Sequence, residues 1–119
     1  MNQFNFLDWP VYKDAQDLSS FCLGIIRKLP KEYRFELSAQ LIRSSSSIVL
    51  NIAEGSGKAS RKDFSHFLDI ALGSLYETVA NVDILKTNNL IDQKDFLIAK
   101  EKASSIARQL GGFKKKLKT

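Results

Sequence analysis

The sequence predicts an all-α protein, an antiparallel up-down-up-down four-helix bundle. Three observations predict it. Apolar residues recur at spacings of three and four in four long stretches. The links between the stretches are a few residues long, which makes consecutive helices antiparallel neighbours. No stretch sustains the alternation of apolar and polar residues that a half-buried strand needs. A chain of 119 residues is long enough to bury a core without disulfides or metal, and residues 1–119 read as a single domain.

The first helix is expected over about residues 8–29. Val11, Ala15, Leu18, Cys22, Ile25 and Leu29 form its stripe. Asp8 reads as its N-cap, with Pro10 in the first turn, where a missing N–H costs nothing. Trp9, Tyr12 and Phe21 lie off the stripe, placed to meet a neighbouring helix or another subunit. Pro30 ends the helix by pushing Leu29 out of the α region.

The second helix is expected over about 31–54, with Ser38, Leu41, Ile42, Ser45, Ile48, Val49 and Ile52 inward. Ser44-Ser45-Ser46-Ser47 reads as a close helix contact whose hydroxyls bond back to carbonyls one turn earlier. Gly55 suits a left-handed C′ position. The third helix is expected over about 60–87, opening on a capping box, Ser60 with Asp63. Phe64, Phe67, Leu68, Ala71, Leu72, Leu75, Val79, Val82 and Leu85 give its stripe. Gly73 inside it predicts close approach by another backbone, and Asn88-Asn89 is a stop. The fourth helix is expected over about 92–117, capped by Asp92. Phe96, Ala99, Ala103, Ile106, Leu110, Phe113 and Leu117 face in, and Gly111-Gly112 weakens the end so that the basic tail frays.

Several function classes fit poorly. The opening residues, Met1 to Trp9, lack the basic and apolar regions of a signal peptide. No apolar run reaches the roughly 18 residues of a membrane span. With one cysteine there is no internal disulfide. No membrane contact and a cytoplasmic location are expected. Cys22 sits on a core stripe and His66 is the sole histidine, so no nucleophile–base pair stands out. Asp63, His66 and Asp69 are too few for a metal set. Gly55-Ser56-Gly57-Lys58 lacks the preceding strand and full pattern of a phosphate loop. No catalytic, metal or cofactor residue is assigned.

The charge is placed unevenly. Residues 91–119 hold eight basic and three acidic side chains, whereas 1–54 and 55–90 are each balanced. The whole excess of +5 therefore falls in the last quarter, centred on Lys114, Lys115, Lys116 and Lys118, with Arg108 before them. Such a cluster is either a solvated helix end countering the macrodipole or a patch for a polyanion. Lys58, Arg61 and Lys62 form a second candidate contact for phosphate. Around the hinge that Asn51–Gly57 forms between the second and third helices, Arg43, Asn51, Glu54, Ser74 and Glu77 read as a structural polar network that fixes helix register.

These residues also carry a resemblance. Arg43-x-x-x-Ser47-x-x-x-Asn51-Ile52-Ala53-Glu54-Gly55, followed by Lys62-x-Phe64-x-x-Phe67-Leu68-x-Ile70-Ala71-x-Gly73-Ser74-x-x-Glu77, resembles the bacterial four-helix-bundle proteins of the 23S ribosomal RNA intervening-sequence family. That family includes the accessory variability determinants of diversity-generating retroelements. Val11-Tyr12-Lys13-x-Ala15 and the Leu29-Pro30 break fit it too, while Ile48-Val49-Leu50 replaces the family's usual serine-or-proline step. The resemblance implies a ring-like homopentamer. In retroelement members it implies a basic surface that binds nucleic acid and the reverse transcriptase. The leading expectation is therefore a non-enzymatic oligomer binding RNA or DNA. The alternative is an interaction scaffold or accessory subunit for a polymerase-type protein, in which Trp9, Tyr12 and Phe21 matter more than lysines.

Overall fold

A computed structural model describes residues 3–118. Four helices account for most of them: α1 (Pro10–Lys28), α2 (Lys31–Ser56), α3 (Arg61–Thr87) and α4 (Gln93–Lys118). A short 3-10 turn, Asn5–Asp8, precedes them. Each helix packs on its two neighbours, α1 on α2 and α4, and α3 on α2 and α4. The bundle measures 47 × 22 × 20 Å, so its long axis is about the length of α3 at ~1.5 Å per residue.

The ends follow local chemistry, with two corrections. Pro10 holds Trp9 extended, at φ −71 and ψ 133. Helix α1 therefore starts at Pro10, and Asp8 lies in the separate turn instead of capping it. Gly55 is not a left-handed cap either. Helix α2 runs on to Ser56, Gly57 ends it at φ −89, and no glycine has positive φ among the described residues. The reason is packing: Gly55 is buried inside the helix, and a Cβ there would lie 2.9 Å from the Phe67 Cβ and 3.0 Å from the Phe64 ring. Its missing side chain is the clearance that lets α2 and α3 meet.

The other caps fall where the sequence places them. Ser60 Oγ accepts the Asp63 N–H at 3.0 Å, and Asp92 Oδ1 accepts the Asp95 N–H at 2.8 Å. Asn89, at φ 59, turns the chain out of α3. The Leu90 N–H then reaches Leu85 O at 2.9 Å, and the Asn89 N–H reaches Lys86 O at 3.0 Å, a Schellman closure. Helix α4 passes through Gly111-Gly112 without a break and stays helical to Lys118. Phe113 anchors it, its ring 5.2 Å from Trp9 and 6.1 Å from Phe64.

The core is the set of inward stripes. Val11, Ala15, Leu18, Cys22, Ile25 and Leu29 are all buried, as are Leu41, Ile48 and Ile52, Leu68, Leu75 and Leu85, and Ile106 and Leu110. Ile42 is the exception on α2, 43% exposed. Leu41 occupies the inward position, and the next residue lies about 100° around the helix. Trp9, Tyr12 and Phe21 are half-buried against the core of their own chain. They are not the free aromatic surface a scaffold reading asked of them.

Gly73 is exposed, and nothing lies within 4 Å of where its Cβ would stand. The expected backbone contact is not made by any described residue. Gly73→Ala should therefore stabilise the protein by about 0.5–1 kcal/mol, since only helix propensity changes. A urea melt checks this, and a lower midpoint would show that something packs on Gly73.

Candidate nucleic-acid interface at one end of the bundle

Up-down topology gathers four helix ends at one pole: the starts of α1 and α3 and the ends of α2 and α4. Arg61 and Lys62 open α3, and Lys114, Lys115, Lys116 and Lys118 close α4. The two basic groups, more than fifty residues apart in sequence, thus share one surface. Arg61, Lys62, Ser65, His66 and Lys118 line a single recess of about 430 Å³. The N-terminus of α3 adds partial positive charge there.

Pairing decides which cations are available. Lys114 is bound to Asp69, which neutralises the one carboxylate in the recess. Lys58 pairs with Glu54 at 3.9 Å and lies 4.9 Å over the Phe67 ring. Arg61, Lys62, Lys115, Lys118 and Arg108 are exposed and form no ion pair with a described residue. Lys116 is exposed beside them. Arg108 and Lys115, seven residues apart, share one face of α4. Elsewhere, Lys28, Lys86 and Lys102 are held by Asp95, Asp83 and Asp17 at 3.1, 3.2 and 2.5 Å.

The polar residues of the hinge form a latch along the α2–α3 seam. Arg43 is ion-paired with Glu77. Ser47 and Ser74 hydroxyls meet at 2.8 Å, and Asn51 Nδ2 donates to Ser47 O at 2.8 Å and to its Oγ at 3.0 Å. Asn81 Nδ2 donates to Ser44 Oγ at 3.1 Å. Sequence reasoning missed Asn81, and it placed Ser44 at a close helix contact without naming a partner on α3. The available signal was that Asn81 follows Ser74 by seven residues, on the same face of α3. Glu54 stands outside the latch, with a cation on its own helix. Glu54 and Glu77 therefore each face a cation and are not a carboxylate pair.

Among the described residues no three His, Cys, Asp or Glu side chains are placed to hold a metal ion. No helix among them is long and apolar enough to cross a membrane. Cys22 is 1% exposed, and burial pushes its thiol from 9.0 up to about 12 against a weaker opposing hydrogen bond from Ser45. The folded pKa is raised, so the contribution to stability is intact below pH 9 and lost as pH rises from 9 towards 12. Alkaline melts should therefore fall more steeply for the wild type than for Cys22→Ala. A thiol reagent should label the native protein only as fast as it unfolds; immediate labelling would contradict this burial.

A family model described as the 23S rRNA-intervening sequence protein matches residues 8–112. The chain belongs to this family. The chain is also similar in fold to a solved structure from Bacteroides thetaiotaomicron, described as a protein of unknown function from the S23 ribosomal protein family. The TM-score is 0.82 at 25% identity, over 88% of this chain and 98% of that one. A search of curated proteins gave no match.

Proposed function

We propose that this protein is a non-enzymatic cytoplasmic oligomer that binds nucleic acid through the basic pole of its bundle. One observation carries the reading: Arg61, Lys62 and Lys118 converge from two helices on one recess, and none has an ion-pair partner among the described residues. Cations left unpaired and clustered are what phosphate contact requires. Oligomerisation has separate support. Phe35, Ile42 and Leu50 on α2 are 87%, 43% and 63% exposed and repeat at seven and eight residues, an outward apolar stripe that a second copy would cover. The family resemblance makes a homopentamer the expected closed form, which multiplies the field of each basic pole.

Titration of labelled RNA and DNA at low and rising salt, with light scattering on the same samples, tests both parts. Salt-sensitive binding by an oligomer is expected. No binding at low salt removes the function, and a monomer removes the ring. A second reading, a scaffold for a polymerase-type protein, rests on the groove between α3 and α4, where Tyr76, Val79, Phe96, Ala103 and Ala107 leave an apolar surface open. A protein partner retained from nuclease-treated lysate favours it.

A further inference from the structure

The N-terminal turn lies along the end of α2 and leaves a groove between them. Its walls and floor are Phe4, Phe6, Trp9, Leu50 and Ala53, with Lys58 on the rim. The groove measures about 960 Å³, at the upper end of the ~300–1,000 Å³ of small-molecule sites. Two features set it apart from an ordinary apolar surface. Phe4 holds a left-handed backbone, φ 64, which a bulky residue adopts only at a cost in strain. Phe4 is also 67% exposed, its ring meeting only Phe6 among the described rings, edge to face at 6.4 Å. Trp9 is fixed from behind by Phe64 and Phe113 at 6.1 and 5.2 Å. The groove thus joins an outward aromatic ring to a rigid aromatic wall.

Its surroundings are basic. Lys58, in the link between α2 and α3, is followed within four residues by Arg61 and Lys62, which share their recess with Lys118. Aromatic faces beside a track of cations are the two parts of a surface for unpaired bases, one for stacking and one for the backbone. We infer that this groove is a stacking platform for single-stranded nucleic acid, whose phosphates run over Lys58, Arg61, Lys62 and Lys118. This rests on the reading of the basic pole as a nucleic-acid contact and narrows it to strands with free bases. Duplex bases are stacked on one another and cannot reach Phe4. Glu54 is the opposing element: it lines the same groove, and its carboxylate is held 3.9 Å from Lys58. It both repels phosphate and occupies a lysine that phosphate would use.

The test is anisotropy of the full chain with labelled oligothymidylate and with a hairpin duplex of equal length, at about 50 mM salt. Oligothymidylate should bind several-fold tighter than the duplex. Phe4→Ala should weaken single-strand binding by about five-fold or more, leave duplex binding and the salt slope unchanged, and keep the melting temperature. Glu54→Gln should act in the opposite direction and tighten single-strand binding. Equal affinity for both probes, with Phe4→Ala silent, overturns the platform and leaves the basic-pole reading standing. No binding of either probe by the wild type overturns both. If Phe4→Ala instead changes the mass in light scattering and weakens both probes equally, the groove seats a second copy and the platform is wrong.

Discussion

Gly55→Leu is expected to destabilise the bundle by about 3 kcal/mol, the upper end of the usual overpacking cost. Intrinsic propensity argues the other way, since leucine is favoured over glycine in a helix by roughly 0.8 kcal/mol. Packing wins because of what the added atoms meet. The Phe67 Cβ, 2.9 Å from where a Cβ on residue 55 would stand, is fixed to the α3 backbone and cannot turn aside. The Phe64 ring, at 3.0 Å, could rotate, but it is packed against Trp9 and Phe113. Even alanine should cost about 1–2 kcal/mol here, the opposite sign to Gly73→Ala. Urea midpoints of the two alanine variants test the contrast. A Gly55→Ala protein as stable as wild type would show that α2 and α3 separate easily at this end.

Removing the unpaired cations of the basic pole is the second large effect. The combined change Arg61→Gln, Lys62→Gln, Lys115→Gln and Lys118→Gln should lower the slope of log affinity against log salt by about three, from ~0.7 per phosphate contact on a single strand. Near 0.1 M salt that is roughly a hundred-fold or more in affinity. Lys114 is left in place because it holds Asp69. The control removes the same charge towards the other end of the bundle, at the exposed Arg27, Lys31, Lys94 and Lys100. Equal losses in the two variants would mean that binding follows net charge and not this surface.

The four helices were legible because each stripe keeps its three-and-four spacing long enough to outweigh single misfits. Gly111-Gly112 shows the limit of local reasoning: two glycines weaken a helix in isolation, yet α4 continues because Phe113 is gripped by Trp9 and Phe64. Gly55 and Gly73 show a second limit. A glycine's composition is the same whether it clears a neighbour, turns the chain or faces water, and only the packed partner distinguishes these. Both basic groups of the candidate interface were visible in the sequence. Their common pole follows from the antiparallel order expected there, but their sharing one recess depends on how far each helix runs, which sequence patterns bound only to within a few residues. Asn81 was missed for a related reason: a lone asparagine on a helix carries no local sign that Ser44 lies opposite.

The serines of α2 have one further consequence. Ser45 and Ser46 bond back to Leu41 O and Ile42 O at 2.8 and 2.7 Å, within their own helix. That strip of α2 is therefore small, and these two hydroxyls are satisfied before α2 meets its neighbours, whereas Ser47 finds its partner only in Ser74 of α3. A newly made chain whose α2 has formed but not yet docked offers little along this strip for a stranger to stick to. Part of the inward surface of α2 is thus weakly adhesive while the bundle is open, which disfavours aggregation while the protein folds.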